Sequence, residues 1–383
     1  MPVAERLLSA AELGAPEQRH PLELAFCEAC ALVQLTGSVD PHQMFNAHHE
    51  SAPLPPHAER RLRLDVESLI ETRSMNGASQ VVEIGSNAGR LLKLYADNAI
   101  PTLGIEPAAG PAATARKSGI ETVEAVFGEE LAHTLAEDGR KADIIHAAHV
   151  LDHAADIDGF AAGLATLLKE GGIAFVEVAH IGAIVARGAF DAIRHGRIAY
   201  FSLIALDPIL RRHELYINDA SEPDRTGTLK LQVQRFDARK AGVRSILLAE
   251  EAAALSTRAA YEAFAEKALQ TRDALSSTVA DITAGAARIA AYGSSEEAAT
   301  VLNSAGLGRE AIAYVCDPNP GTHGRYIPGG HQPVVCPSQL VADRPEFTLI
   351  MPSMNAETVA KQEAGYREAG GRFIVPSAEP HVV

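Results

Sequence analysis

Short apolar runs rich in β-branched residues alternate with amphipathic stretches of helical period along most of the chain, separated by clusters of glycine, proline and acid. The clearest unit is Gln80-Val81-Val82-Glu83-Ile84-Gly85-Ser86-Asn87-Ala88-Gly89-Arg90-Leu91-Leu92. It reads as a strand, a tight turn and a helix start, the opening unit of a parallel α/β sheet. A helical pattern over 58–75 precedes it. Strands are expected at 101–107, ending in Glu106, at 120–126, leading into Phe127-Gly128, at 142–153 and at 173–178. Helices over 109–118, 129–137 and 156–169 fall between them, and Glu170-Gly171-Gly172 makes a turn. This order predicts a doubly wound α/β sheet. Residues 181–240 read as an insertion plus a hairpin around the turn cluster 219–227, and 245–286 as one or two alanine-rich helices. A second alternation runs from Ile289 through 313–317 and 347–352 to 372–376, which predicts a smaller Rossmann-like domain. The expected division is 1–72 for a ribbon-like and helical region, 73–240 for the core with its insertion, 241–286 for a helical connector, and 287–383 for the second α/β domain.

Ahead of the core, two strand-like runs between Pro21 and Leu35 flank Cys27-Glu28-Ala29-Cys30. That turn is one knuckle of a zinc ribbon, but a tetrahedral site needs two more ligands. The nearby candidates His20, His42, His48 and His49 have no ribbon spacing, so a knuckle without metal is expected and zinc is left open. Residues 45–60, with several histidines and prolines, read as a loop or lid, because proline interrupts regular structure.

Composition narrows the class. The 383 residues are 47% hydrophobic and 22% charged, and no long apolar stretch or signal pattern interrupts them, so a soluble cytoplasmic protein is expected. Four cysteines are too few for a disulfide framework at this length. The formal charge of −15, from 34 basic and 49 acidic residues, disfavours nucleic acid and anionic membrane as partners. A small-molecule substrate is the expected partner, with a homodimer left open.

The candidate chemistry gathers at the carboxyl ends of the strands, where open α/β sheets bind ligands. Gly85 and Gly89 allow close backbone approach, and the helix start that follows favours polar or anionic ligand groups. The loop lacks the Gly-x-Gly-x-x-Gly of dinucleotide binders. It resembles motif I of class I S-adenosylmethionine (SAM) methyltransferases, which implies a Rossmann-like methyltransferase core. Glu106 ends the second strand, where a carboxylate can accept both ribose hydroxyls of a nucleoside. Expected cofactor contacts are Glu83, Gly85, Ser86, Asn87, Gly89, Glu106, Pro107, Phe127, Gly128 and His149. Since SAM carries an activated methyl group, the protein must position the acceptor and handle a proton. His149 and His180, at strand ends, are the leading candidate bases. His153, His195 and the Tyr200 hydroxyl are further candidates, and an imidazole can exchange a proton near neutral pH.

Across nearly its whole length the chain resembles the SAM-dependent sugar C-methyltransferase family of deoxysugar biosynthesis. The resemblance rests on Cys27-x-x-Cys30-x-Leu32-Val33-Gln34-Leu35, Val82-Glu83-Ile84-Gly85-Ser86-Asn87, Gly104-Ile105-Glu106-Pro107, and Phe190-Asp191 with Tyr200 and Ser202. It continues with Asp317-x-Asn319-Pro320, Gly324-Arg325-Tyr326 and Gly370-Gly371-Arg372-Phe373-Ile374-Val375-Pro376. The family implies a zinc-ribbon N-terminus with two cysteine pairs, a SAM-binding core and a C-terminal Rossmann-like domain. Four departures stand out. One cysteine pair is absent. The family's catalytic Tyr-His-Glu-His is matched by Arg194-His195-Gly196-Arg197, and its His-Gly-Gly-Ser-Leu by Arg225-Thr226-Gly227-Thr228-Leu229. Glu297, beside Glu296, stands where a basic residue is expected near a sugar diphosphate, and two carboxylates there would repel it. The SAM half of the pattern is kept and the chemistry half is rewritten. Methylation of a secondary-metabolite acceptor is therefore the leading expectation. A SAM-assisted isomerisation or elimination and a non-catalytic role are the alternatives.

Overall fold

A computed structural model describes residues 1–39, 56–224, 226–351, 354–377 and 380–382. Residues 45–55 of the loop expected over 45–60, His48 and His49 among them, lie outside these described residues with His42, Arg225 and Pro352, and 56–60 are helical instead. Among the described residues, sixteen strands fall in three sheets: β1 Leu24–Phe26, β2 Val33–Leu35, β3 Val81–Ile84, β4 Thr102–Ile105, β5 Thr122–Val123, β6 Ala142–Ala148, β7 Leu168–Ala179, β8 Ala199–Tyr200, β9 Tyr216–Ala220, β10 Thr228–Gln234, β11 Ile289–Tyr292, β12 Val315–Cys316, β13 Val334–Val335, β14 Phe347–Ile350, β15 Arg372–Val375 and β16 His381–Val382.

The central sheet has the order β5-β4-β3-β6-β7-β10-β9. β3, β4, β5, β6 and β7 run parallel, and β10 runs antiparallel to both β7 and β9. Alternation along the strands feeds two cores, since neighbouring side chains leave a strand on opposite faces. Val82, Ile84, Leu103 and Ile105 pack with Leu135, Leu164, Leu206 and Ile246. Val81, Ile144 and Ile173 pack on the other face with Val66, Leu92 and Ala115. The region expected as an insertion therefore completes the sheet, with β10 entering between β7 and β9. The expected turn at Glu170-Gly171-Gly172 lies inside β7, where the register against β6 slips between Ala142 and Ile144. The fourth strand ends at Ala148 rather than His153, and the helix expected from 58 begins at Pro56, whose missing N–H costs nothing at a helix start.

The C-terminal sheet repeats the design with the order β13-β12-β11-β14-β15-β16, parallel except for β16. Two helices, Ala241–Ala252 and Arg258–Ala284, link the two sheets. The third sheet is β1-β2-β8, in which Val33 pairs with Tyr200. The N-terminal segment thus docks on residues 199–200, and it also crosses to the C-terminal domain, where Leu8 and Tyr326 exchange backbone hydrogen bonds of 2.8 and 2.9 Å. No helix among the described residues is long and apolar enough to cross a membrane.

Candidate cofactor and acceptor site

The loop after β3 follows from its residue types. Gly85 and Gly89 have φ of +72° and +74°, and Asn87, a residue that tolerates the left-handed region, has +48°. A Cβ on Gly85 would stand 2.6 Å from Val150 Cγ2, so that position is closed to other residues. Glu106, at the end of β4, is 7% exposed. Its Oε2 accepts the Asn87 N–H at 2.8 Å and its Oε1 accepts the Ala108 N–H at 2.8 Å, which ties the loop to the second strand. Buried beside it, Ser86 Oγ and Glu83 Oε2 have no hydrogen-bond partner. Burial, and then the charge of Glu106, push the Glu83 acid up to about 8. Orphaned polar atoms of this kind are costly, and a bound polar ligand is one way of satisfying them. A cationic ligand would also relieve the crowding of the two carboxylates.

The other expected cofactor contacts divide. Pro107 is exposed beside Glu106. Phe127 is buried edge-on against Phe160, with centroids 5.1 Å apart, and its ring belongs to the core. Gly128 is extended, at φ −172°, and its carbonyl packs against Gly163.

Among the candidate bases, His149 alone keeps a partly open ring within an orienting pair. It lies just past β6 at φ +53°, and its side chain is 37% exposed. Its Nδ1 lies 3.1 Å from Asp152 Oδ2 and its Nε2 lies 3.2 Å from Thr228 Oγ1. A carboxylate can only accept here, so the neutral ring is assigned as Nδ1–H, with Nε2 left as the basic nitrogen. Asp152 is fully buried, and both its oxygens face the Ala179 N–H at 3.1 Å.

His180 is not a free base. Its Nδ1 accepts the Ala183 N–H at 3.2 Å, capping the helix Ile181–Arg187, and its Nε2–H faces Glu250 Oε1 at 2.8 Å. Glu250 also accepts the Leu203 and Ile204 N–H groups, so this is a buried structural knot. His195 is 1% exposed and directs Nε2–H to the His20 and Pro21 carbonyls at 3.3 and 3.2 Å. Tyr200 is fully buried, its hydroxyl accepts the Arg194 N–H at 3.0 Å, and burial pushes the phenol up to about 12. Both therefore serve the packing of residues 194–200 against the N-terminal segment. His153 gives its Nδ1–H to the Gly196 carbonyl.

The two guanidiniums of the rewritten turn are also engaged. Arg194 pairs with Glu296 and stands 3.9 Å from Glu297, so these acids oppose a cation of the chain itself. Arg197 reaches toward Asp152 and lies over the Tyr200 ring, 5.8 Å from its centroid. Cys27 and Cys30 are free thiols, and no group of three or more metal-ligating side chains occurs among the described residues. Sequence reasoning passed over Asp152, although a carboxylate three residues past a strand-end histidine was a usable signal. Thr228 stood where the family's His-Gly-Gly-Ser-Leu has its serine, a hydroxyl kept in the matched stretch, but only the β7–β10 pairing shows that it reaches His149.

A parallel sheet with one reversed strand near its edge, and a glycine loop facing an acid on the next strand, define a class I SAM-dependent methyltransferase. Family models match in the same order: "Putative zinc binding domain" over residues 1–45, "Methyltransferase domain" over 56–219, and "C-methyltransferase C-terminal domain" over 225–377. These matches support a sugar C-methyltransferase family; the chain is a SAM-dependent methyltransferase, and SAM is its cofactor. It is 27% identical over 389 residues to the C-methyltransferase NovU of Streptomyces niveus, an alignment spanning 100% of this chain and 92% of that one. It is 35% identical over 98 residues to a ubiquinone biosynthesis O-methyltransferase of Chelativorans sp. (strain BNC1), spanning 25% of this chain and 39% of the relative. Magnesium protoporphyrin IX methyltransferase from Synechocystis PCC 6803, solved with bound SAH, is 15% identical with a TM-score of 0.36, over 49% of this chain and 91% of that one.

Proposed function

We propose that this methyltransferase acts on a small-molecule acceptor of secondary metabolism, has diverged from the sugar C-methyltransferases in its chemistry, and uses His149 as its general base. The observation that carries the reading is the Thr228–His149–Asp152 arrangement at the carboxyl end of β6 and β7, while the other candidate bases are committed elsewhere. Bound SAM supplies a methyl group already activated on a sulfonium centre. The Asn87 loop, held by Glu106, shapes the cofactor pocket, with Glu83 Oε2 and Ser86 Oγ as the unpartnered polar atoms that fit it. Asp152 holds His149 in the Nδ1–H form, so that Nε2 can take the proton the acceptor loses. The Thr228 hydroxyl, at hydrogen-bond distance from Nε2, marks where an acceptor's acidic group can sit.

The test follows S-adenosylhomocysteine release by the full-length protein over a panel of hydroxyl- and ketone-bearing acceptors. A methylated product is expected. His149→Asn should lower kcat by about 10²–10⁴-fold, the usual contribution of a positioned acid or base, with SAM affinity retained. Conversion of an acceptor with SAM unconsumed would overturn the methylation reading. Full activity in His149→Asn would overturn the base assignment.

A further inference from the structure

The turn Arg194-His195-Gly196-Arg197 is buried between three parts of the chain, and unpartnered polar atoms gather there. Glu5 Oε2, His20 Nε2, Arg194 Nε and Arg197 Nε are all buried without a hydrogen-bond partner. At the centre is Glu5, carried in by the N-terminal segment and 5% exposed. Its Oε1 accepts the Gly196 N–H, and the Gly196 carbonyl in turn holds the ring of His153. A Cβ on Gly196 would meet Glu5 Oε1 at 2.7 Å, so the glycine makes the seat that the carboxylate fills.

The next residue shows what this pin does. Arg197 Nε stops 3.7 Å from Asp152 Oδ2, beyond hydrogen-bond range, although the carboxylate is its ion-pair partner. The same oxygen holds His149 Nδ1 at 3.1 Å. The guanidinium and the imidazole thus contend for one acceptor. The guanidinium is the stronger donor whenever it can approach, because it is charged at every relevant pH. The backbone on its N-terminal side is held by Glu5 through Gly196 and by Arg194 through Glu296.

We propose that Glu5 is a positioning residue of the active centre: by pinning Gly196 it keeps Arg197 off Asp152 and leaves that carboxylate to orient His149. The N-terminal segment is then a working part of the methyl-transfer centre, acting through the turn. The proposal rests on the reading of His149 as the base.

The experiment is ¹⁵N NMR of the histidine rings in the full-length protein with SAM bound. In the wild type His149 is expected as the Nδ1–H tautomer. Glu5→Ala should shift it to a mixture of tautomers, whereas Glu5→Gln, which keeps an acceptor oxygen for Gly196, should restore the wild-type spectrum. Adding Arg197→Met to Glu5→Ala removes the competitor and should also restore it. Gly196→Ala unseats Glu5 without removing it, and should reproduce the Glu5→Ala spectrum; it carries the test if Glu5→Ala no longer binds SAM. An unchanged His149 spectrum in a SAM-binding Glu5→Ala or Gly196→Ala protein overturns the proposal. Full methyl transfer by His149→Asn overturns the base assignment instead, and leaves the Glu5-dependent spectrum intact.

Discussion

The two α/β domains carry the same local device and finish it differently. In each, the first strand ends in a glycine with positive φ, and an acid at the end of the next strand accepts a loop N–H. Glu106 takes the N–H groups of Asn87 and Ala108, each at 2.8 Å; Asp317 takes those of Ser294 at 2.7 Å and Asn319 at 2.8 Å. In the C-terminal copy the Ser294 hydroxyl also bonds Asp317, at 2.6 Å, and the side of Gly293 faces Met354 Cγ, 2.7 Å from where a Cβ would stand. That loop is closed by its own side chains. In the central copy Ser86 Oγ and Glu83 Oε2 are left without partners. A glycine loop and an acid therefore make a scaffold, and the two copies differ in that the serine hydroxyl of the loop is bonded to the acid in one and left without a partner in the other.

The comparison breaks if the acids are interchangeable in effect. Glu106→Ala should weaken SAM binding by about 10–100-fold, the worth of hydrogen bonds to a charged group. Calorimetry showing unchanged affinity would dissolve the distinction.

A smaller effect follows from Glu83. Its acid is raised to about 8 by burial and by Glu106, so a cationic ligand should expel the proton. SAM affinity should then rise about fivefold or more between pH 7 and 9, as the carboxylate goes from mostly protonated to mostly ionised. Proton release on binding, from calorimetry in buffers of different ionisation heat, checks it. Stability of the ligand-free protein depends on pH in the opposite sense. The folded-state value stands above the unfolded one, so this group's contribution is fully present below the ordinary carboxylate range. It is lost as pH rises toward about 8. Thermal melts of the ligand-free protein between pH 5 and 8 should show this loss, and bound SAM should flatten it.

The smallest expected change in binding belongs to Asp317→Ala, which should leave SAM affinity within about twofold while costing the fold roughly 1–3 kcal/mol for unpaired buried donors. Chemical denaturation beside calorimetry separates the two.

Much of this was legible in the residues. Val81-Val82 and Ile144-Ile145 announce strands with two buried faces, and the Gly85–Gly89 loop and Glu106 follow from local chemistry. Two-residue strands such as β5 and β8 have no periodicity of their own, because their neighbours define them. The histidines show the same limit. His180 stands at a strand end as His149 does, but the Glu250 that immobilises it is 70 positions away. Tyr200 and His195 are likewise defined by residues 20–33, which local pattern cannot bring to them.

His149 sits with φ at +53°, in a region where a side chain costs about 1 kcal/mol or more and which glycine enters without steric strain. Glycine there would relieve the strain, but it would also remove the Nδ1–H bonded to the buried Asp152. On the proposed reading of His149 as the base, that local strain accompanies holding an imidazole at the end of β6.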